Sequence, residues 1–279
     1  MPEGDTIHRL AAALGRELVG RQLVEVRLRA AAEALPEAPA LVVDVGARGK
    51  FLLLHLAEGW SFCTHLGLRG DVRRYPPGVV PRGTAPVLVL RRDDGWAFCW
   101  REPAKVHLCR RAFLSSYPPL ARLGPDLVAD GESEEALWSE VAARLAAVEP
   151  AQLIGGVLLQ QSVACGIGNV YKCEVLFLES INPWLRLGEV GMEGALALYR
   201  RARPLLRANL RPGPRRTRQG AGPGLWVYDR AGQPCLHCRH PIAVARQGRS
   251  QRPTYWCPSC QNDSSRSDAG VGFLVRGGR

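Results

Sequence analysis

Four cysteines carry the most specific chemistry in this sequence. "PCLHC" and "WCPSC" give Cys235-x2-Cys238 and Cys257-x2-Cys260, with 18 residues between the two knuckles. Each knuckle offers two sulfurs at a fixed bite, and residues 242–256 can form the hairpin that brings the pairs together. That is the ligand pattern of a tetrahedral four-thiolate zinc site. A closed sulfur shell leaves no open position for a substrate, so one structural Zn2+ is expected. Two disulfides are the alternative. The odd total of nine cysteines and the lack of a charged-then-apolar leader point instead to a reducing compartment. His237 and His240 then read as surface residues. Cys63, Cys99, Cys109, Cys165 and Cys173 lie mostly in apolar stretches and read as small core residues.

Two further stretches place reactive groups at helix starts. In "ACGIGNVYKCEVLF" two helices are expected to meet at Gly166-Ile167-Gly168, with Asn169 placed to cap the second. Exposed N–H groups and the positive dipole end make such a start a seat for phosphate, although a glycine turn between helices is usually only a turn. At the other end, "MPEGDTIHRL" sets Pro2-Glu3 against a helix in which Ile7, Leu10, Leu14 and Leu18 recur at helical spacing. Asp5 or Thr6 is the expected N-cap and Gly20 the stop. The Pro-Glu pair is either a cap or a reactive pair, and its residue types alone leave that open.

The elements that must position these groups fall into blocks. Up to residue 128 a first helix is followed by strands: "LVEVRLRA", "ALVVDVG", "KFLLLHLA", "WSFCTHLG", "DVRRY", "PVLVLRRD" and "WAFCWRE". Glu58-Gly59 and Asp94-Gly95 read as tight turns, so this block is a sandwich or barrel-like sheet. Residues 129–224 read as helices. Ser133 caps one that sets Leu137, Val141, Leu145 and Val148 on one face, and the Pro/Gly/Arg linker 211–224 closes the block. The zinc hairpin spans 225–262, and the tail 263–279 has no visible role and is expected to be disordered.

With 279 residues, 46% of them apolar, the chain can build two ordinary cores, and no apolar run is long enough to span a membrane. The expected setting is cytoplasmic, without a membrane partner, and the expected state is a monomer. Charge is uneven. Residues 200–279 hold 16 Arg, no Lys and 3 Asp, a balance of +13, and the rest carries −2, giving the net +11. A basic third on a near-neutral body suggests a polyanion, most often nucleic acid. A general preference for Arg explains the residue type but not its concentration in one third of the chain.

"MPEGDT", "ARGKFLLLHL" at 47–56, "GIGNVYKCEVLF" at 166–177 and "WVYDRAGQPCLHC…RPTYWCPSCQ" at 226–261 resemble the formamidopyrimidine-DNA glycosylase/endonuclease VIII family, most nearly its endonuclease VIII branch. The resemblance covers residues 2 to about 262. It implies a multidomain α+β fold with an N-terminal β-sandwich and flanking helix, a helix–two-turn–helix domain and a C-terminal zinc-finger β-hairpin. It also implies damaged DNA as partner, with excision of oxidised bases coupled to strand cleavage by β- or β,δ-elimination.

By this resemblance Pro2, freed by loss of Met1, is the amine nucleophile and Glu3 its acid/base partner. A free α-amine titrates near ~7.7–8.0, and the positive end of the following helix is expected to lower that. Lys50 matches a strand lysine that contacts the phosphate flanking the lesion, an exposed strand-end charge being the alternative. Asn169 and Arg252 match phosphate-binding residues, and Leu68 matches a loop position that enters the duplex beside a flipped base. Ordinary packing is the alternative for Leu68. Three features depart from the family pattern: Asp5-Thr6 where Pro-Glu is frequent, Gln160 where Asp is common, and "REPAKVHL" without an Arg-rich hairpin tip. The last favours oxidised pyrimidines as substrates. Oxidised purines are the alternative, as is a zinc-dependent damaged-DNA-binding protein that has lost catalysis.

Overall fold

The structure is a computed structural model that describes residues 2–29, 35–80, 82–131 and 133–262. The tail at 263–279 lies outside the described residues. The chain divides into two compact units, Met1–Arg122 and Leu123–Arg279. Among the described residues no helix is long and apolar enough to cross a membrane.

The first unit opens with α1 (Gly4–Leu18), which starts earlier than expected. Glu3 is the residue before the helix, in extended conformation at φ −123° and ψ −174°. Neither Asp5 nor Thr6 caps it. Both sit in the first turn, where an acid meets the positive end of the dipole. Eight antiparallel strands follow: β1 (Gln22–Leu28), β2 (Ala40–Arg48), β3 (Phe51–Leu56), β4 (Trp60–His65), β5 (Asp71–Tyr75), β6 (Leu88–Arg92), β7 (Ala97–Arg101) and β8 (Lys105–Arg110). Their order is β5-β7-β6-β1-β2-β3-β4-β8.

The ribbon is thinnest between β1 and β2, which share only the pairs Gln22–Leu41 and Leu23–Ala40. Either side of that junction lies a four-stranded half. One core draws Leu23, Leu88, Leu90, Phe98 and Trp100 from the first half and Leu52, Leu54, Leu56, Phe62 and Leu108 from the second. Ile7, Leu14 and Leu18 of α1 complete it. Halves that share one core face each other, which is the expected sandwich. Strand β8 is an addition to the expected set. Its sequence KVHLCR buries only Leu108, and an edge strand with one core residue leaves little periodic signal.

In the second unit, α2 having been the short Pro118–Ala121 of the first, α3 (Glu134–Ala146) is capped as expected: Ser133 Oγ accepts from Ala136 N at 3.1 Å. Then α4 (Ile154–Val157) is only four residues long, and α5 (Asn169–Leu178) begins after eleven residues of turns. Gln161 organises those turns. Its Nε2 donates to Leu159 O and Ile167 O, each at 3.0 Å, and its Oε1 accepts from Gly166 N at 3.1 Å. Gly166 has φ +115°, a conformation that favours glycine. Helix α6 (Leu187–Ala208) is broken at Gly191, φ 73°. The hairpin β9 (Ala243–Gln247) and β10 (Arg252–Trp256) ends the described chain.

The 211–224 segment is more than a spacer. Asn209 accepts from Arg216 N at 2.8 Å and donates to Arg216 O at 2.7 Å, and Thr217 N and Arg218 N both donate to Gly224 O. These bonds close it into a loop.

The turn between β4 and β5 is the tightest backbone approach near a predicted site residue. Gly70 N and Ala104 N both donate to Leu66 O, at 3.1 and 3.2 Å. A Cβ on Gly70 would fall 2.3 Å from Leu66 O and 2.9 Å from the Pro103 Cα. Gly70→Ala is therefore expected to cost about 2 kcal/mol or more of folding stability. Urea unfolding checks it, with an unchanged midpoint as the contrary outcome.

Candidate functional site

Pro2 is half-buried and the Glu3 side chain has no solvent exposure, both at the start of α1. Helix α1 packs on β2 and β3. Those strands are joined by the two-residue turn Gly49-Lys50, where Gly49 takes φ +57°. Lys50 is thus a turn residue at the foot of β3, on the hairpin that supports α1.

His65, at the end of β4, links this turn to the Leu66–Gly70 loop. It pairs across the sheet with Phe51 on one side and Lys105 on the other. Its ring meets Phe51 edge-on at 5.0 Å, and its Nδ1 accepts from Gly67 N at 3.1 Å. An N–H aimed at Nδ1 requires the neutral ring with its proton on Nε2. Burial first, and then the Lys50 charge, hold its pKa below the usual histidine value. A single histidine at a strand end carries no sequence signal of its own. Leu68 stands 61% exposed on this closed loop. Ordinary packing does not hold it there.

In the second unit Asn169 and Arg252 are brought together from distant parts of the chain. Asn169 is the first residue of α5, with Gly168 before it and no side-chain cap. The capping expectation is corrected: its Nδ2 donates instead to Pro253 O at 2.7 Å, next to Arg252. Its Oδ1 is buried without a partner among the described residues. One turn on, Lys172 Nζ donates to Thr254 Oγ1 at 2.7 Å, and Cys173 Sγ accepts from Tyr255 N at 3.4 Å. Positions 169, 172 and 173 share a helix face and grip three consecutive residues of β10.

Glu174 grips the approach to the zinc module. Its carboxylate accepts from the N–H groups of Trp226, Val227 and Tyr228 at 2.8–2.9 Å and from the Thr217 hydroxyl. Sequence reading missed this hub because the burial of a helical glutamate is a tertiary fact. Gln160, the departure from the family pattern, is bonded at its Nε2 to Gln152 Oε1, 2.5 Å away.

The four knuckle cysteines converge. All four sulfurs lie within 4.8 Å of one another, with Cys235–Cys260 at 3.9 Å and Cys238–Cys257 at 3.4 Å. A zinc tetrahedron with bonds of about 2.3 Å has edges of about 3.8 Å, so the set fits one ion. A hydrogen bond from the His240 backbone N–H brings Cys238 down to about 6, whereas burial raises Cys257 and Cys260. Only a cation lets four such sulfurs ionise together. The four cysteines are positioned to bind one metal ion. Of the two nearby histidines, both exposed, His237 places Nδ1 3.5 Å from Cys260 Sγ. Among the other five cysteines only Cys109 is not fully buried, and burial pushes Cys63 up to about 12.

Two outcomes follow from this chemistry. The purified chain should contain one zinc per molecule, and chelation should release it, expose four reactive thiols and lower the melting temperature. Metal analysis with thiol titration reads this. Stability should also fall in mild acid. Burial holds His55 and His65 below the ordinary histidine value, so the unfolded chain binds more protons below pH ~6.5. Their contribution is complete above that value and is lost as pH falls through the lowered folded values. Glu25 and Asp71, held low by Arg91 and Arg101, add their loss only nearer pH ~4. Urea midpoints from pH 8 to 5 should be flat and then drop, and His65→Gln should shallow the drop.

Comparison with known proteins agrees with this arrangement. Residues 1–106 match the formamidopyrimidine-DNA glycosylase N-terminal domain, and residues 232–262 match the zinc finger found in FPG and IleRS. A probable endonuclease 8 2 from Streptomyces coelicolor is 37% identical over 269 residues, 94% of each chain. A DNA-(apurinic or apyrimidinic site) lyase Nei2 from Mycolicibacterium smegmatis is 35% identical over 95% of this chain and all of its own. A formamidopyrimidine-DNA glycosylase from Methylococcus capsulatus is 32% identical over 94% of this chain and all of its own. In fold, the chain is similar to the Lactococcus lactis Fpg solved with abasic-site DNA, with TM-score 0.77 at 20% identity over 94% of this chain and all of that one. With identity sustained over nearly the whole length of such relatives, the chain belongs to the formamidopyrimidine-DNA glycosylase/endonuclease VIII family, in its endonuclease VIII branch.

Proposed function

We propose that the chain is a bifunctional DNA glycosylase and AP lyase that excises oxidised bases, chiefly pyrimidines, and then cleaves the strand. With Met1 removed, Pro2 carries a secondary amine. Its lone pair attacks C1′ of the damaged nucleotide while the bond from C1′ to the base breaks and the base leaves with a proton. Protonation of the sugar ring oxygen then opens the ring and leaves an iminium between Pro2 N and C1′. The iminium draws electrons from the C2′–H bond. Loss of that proton expels the 3′ phosphate by β-elimination, and water finally releases Pro2. Glu3 delivers and collects the protons.

One observation carries this reading. Helix α1 starts at Gly4 and leaves the buried Glu3 adjacent to Pro2, so one rigid element holds amine and carboxylate. Lys50, Asn169 and Arg252 take the phosphates around the flipped nucleotide, and the exposed Leu68 fills the space that it vacates. The zinc ion keeps the hairpin folded and takes no part in the bond changes. Oxidised purines are a second reading, favoured by the relative named formamidopyrimidine-DNA glycosylase. Against it stands the short β7–β8 turn, which carries Glu102, Pro103 and Ala104 and no arginine.

Incubation with abasic-site DNA and borohydride should trap a covalent adduct that maps to Pro2. An uncleaved N-terminal tag should abolish the adduct and spare binding. Glu3→Gln should bind damaged DNA and excise about 10²–10⁴-fold more slowly. Binding without any adduct would refute the lyase, and an excision panel of oxidised pyrimidines against oxidised purines decides the substrate class.

A further inference from the structure

Lys172 has no role in that chemistry, yet its placement is costly. It lies one turn into α5, near the helix end whose dipole favours anions, and its side chain is completely buried. Buried lysines are rare in protein interiors unless paired. Its Nζ donates to Thr254 Oγ1 at 2.7 Å. Thr254 Oγ1 in turn donates to Gln247 Oε1 at 3.2 Å, and Gln247 Nε2 donates to Pro183 O at 2.7 Å. All three side chains are buried. The chain of bonds runs from α5 through β10 and β9 to the loop before α6.

The second unit is shaped to admit this relay. A Cβ on Gly155 of α4 would fall 2.3 Å from Gln247 Oε1, so only the missing side chain there lets Gln247 lie against α4. The relay therefore ties α5 and the loop before α6 to both strands of the zinc hairpin, with Gln247 lying against α4. Its middle member, Thr254, is two residues from Arg252 and next to Pro253, whose carbonyl holds Asn169.

We propose that Lys172 is a positioning residue for the phosphate clamp: through Thr254 and Gln247 it sets β10 on α5 so that Arg252 and Asn169 act as one unit. This rests on the DNA reading above. Lys172 is bonded within the relay and makes no DNA contact in that reading, so its effect is indirect and passes through the β10 segment that carries Arg252. Loss of the charged hydrogen bond should then weaken substrate capture while leaving the bond-breaking step intact.

The zinc-loaded full chain tests this with abasic-site duplex. Lys172→Met is expected to raise KM about tenfold with kcat within about twofold. Thr254→Val should reproduce that effect, and Thr254→Ser, which keeps the hydroxyl, should retain wild-type KM. Because Lys172 acts through Arg252, Lys172→Met should add nothing to the KM of Arg252→Gln. Additive effects overturn the proposal, as does a lowered melting temperature with unmoved KM in Lys172→Met or, where that variant fails to fold, in Thr254→Val. A wild-type chain that neither binds nor cleaves abasic-site DNA overturns the functional reading and this inference together. A wild type that cleaves, with variants of unchanged KM, overturns this inference alone.

Discussion

Helix α5 has no solvent face, and the second unit is built around that constraint. Asn169 through Phe177 are all buried, among them an amide, an ammonium and a carboxylate. Burying such groups unbonded costs several kcal/mol each, so each must find partners inside the protein. Asn169 binds the Pro253 carbonyl, Lys172 the Thr254 hydroxyl, and Glu174 three N–H groups and the Thr217 hydroxyl. Those partners belong to the zinc hairpin and to the chain that leads into it. Bonding the Asn169 Nδ2, the Lys172 ammonium and the Glu174 carboxylate therefore docks the zinc module.

The first unit meets a related constraint with backbone rather than buried charge. Leu66 O accepts two N–H groups, and the glycines at 67 and 70 let the chain from β4 close against Pro103 and Ala104. A loop so tied has little freedom left, and Leu68 is presented outward without being buried. An apolar side chain on a stiff support loses little conformational entropy when it enters a stack, which suits the wedge role proposed for it. His65 connects that support to the turn that carries Lys50.

What could be read from residues alone was what repeats or what metal geometry dictates. The x2 knuckles specify a sulfur tetrahedron whatever surrounds them, and the short strands with their glycine turns narrowed the first unit to a sandwich or barrel-like sheet, without β8. Ser133 was legible as a cap because capping is local. Contacts between segments far apart in sequence were not legible. Asn169 looked like a cap and is bonded to residue 253. Gln161, Lys172 and Glu174 look like ordinary polar residues until their burial and distant partners are known. The same limit applies to the 211–224 segment, whose Pro/Gly/Arg composition suits a linker but whose backbone is closed by Asn209 and Gly224.

The basic C-terminal third shows why the acceptor matters as much as the donor. Several of its arginines are engaged in the fold, which at first suggests that their charge is spent. Arg201, Arg203 and Arg207 do meet carboxylates, those of Glu179, Glu134 and Asp130. Arg216, Arg218, Arg230 and Arg246 are bonded differently, donating to the backbone carbonyls of Gly220, Ala221, Trp226 with Pro234, and Gln251. A carbonyl orients a guanidinium without neutralising it. Each such arginine keeps its full charge at a fixed place, and the loss of side-chain freedom is already met by the fold. A polyanion that approaches this unit meets ordered positive charge, which attracts phosphate without a further ordering cost.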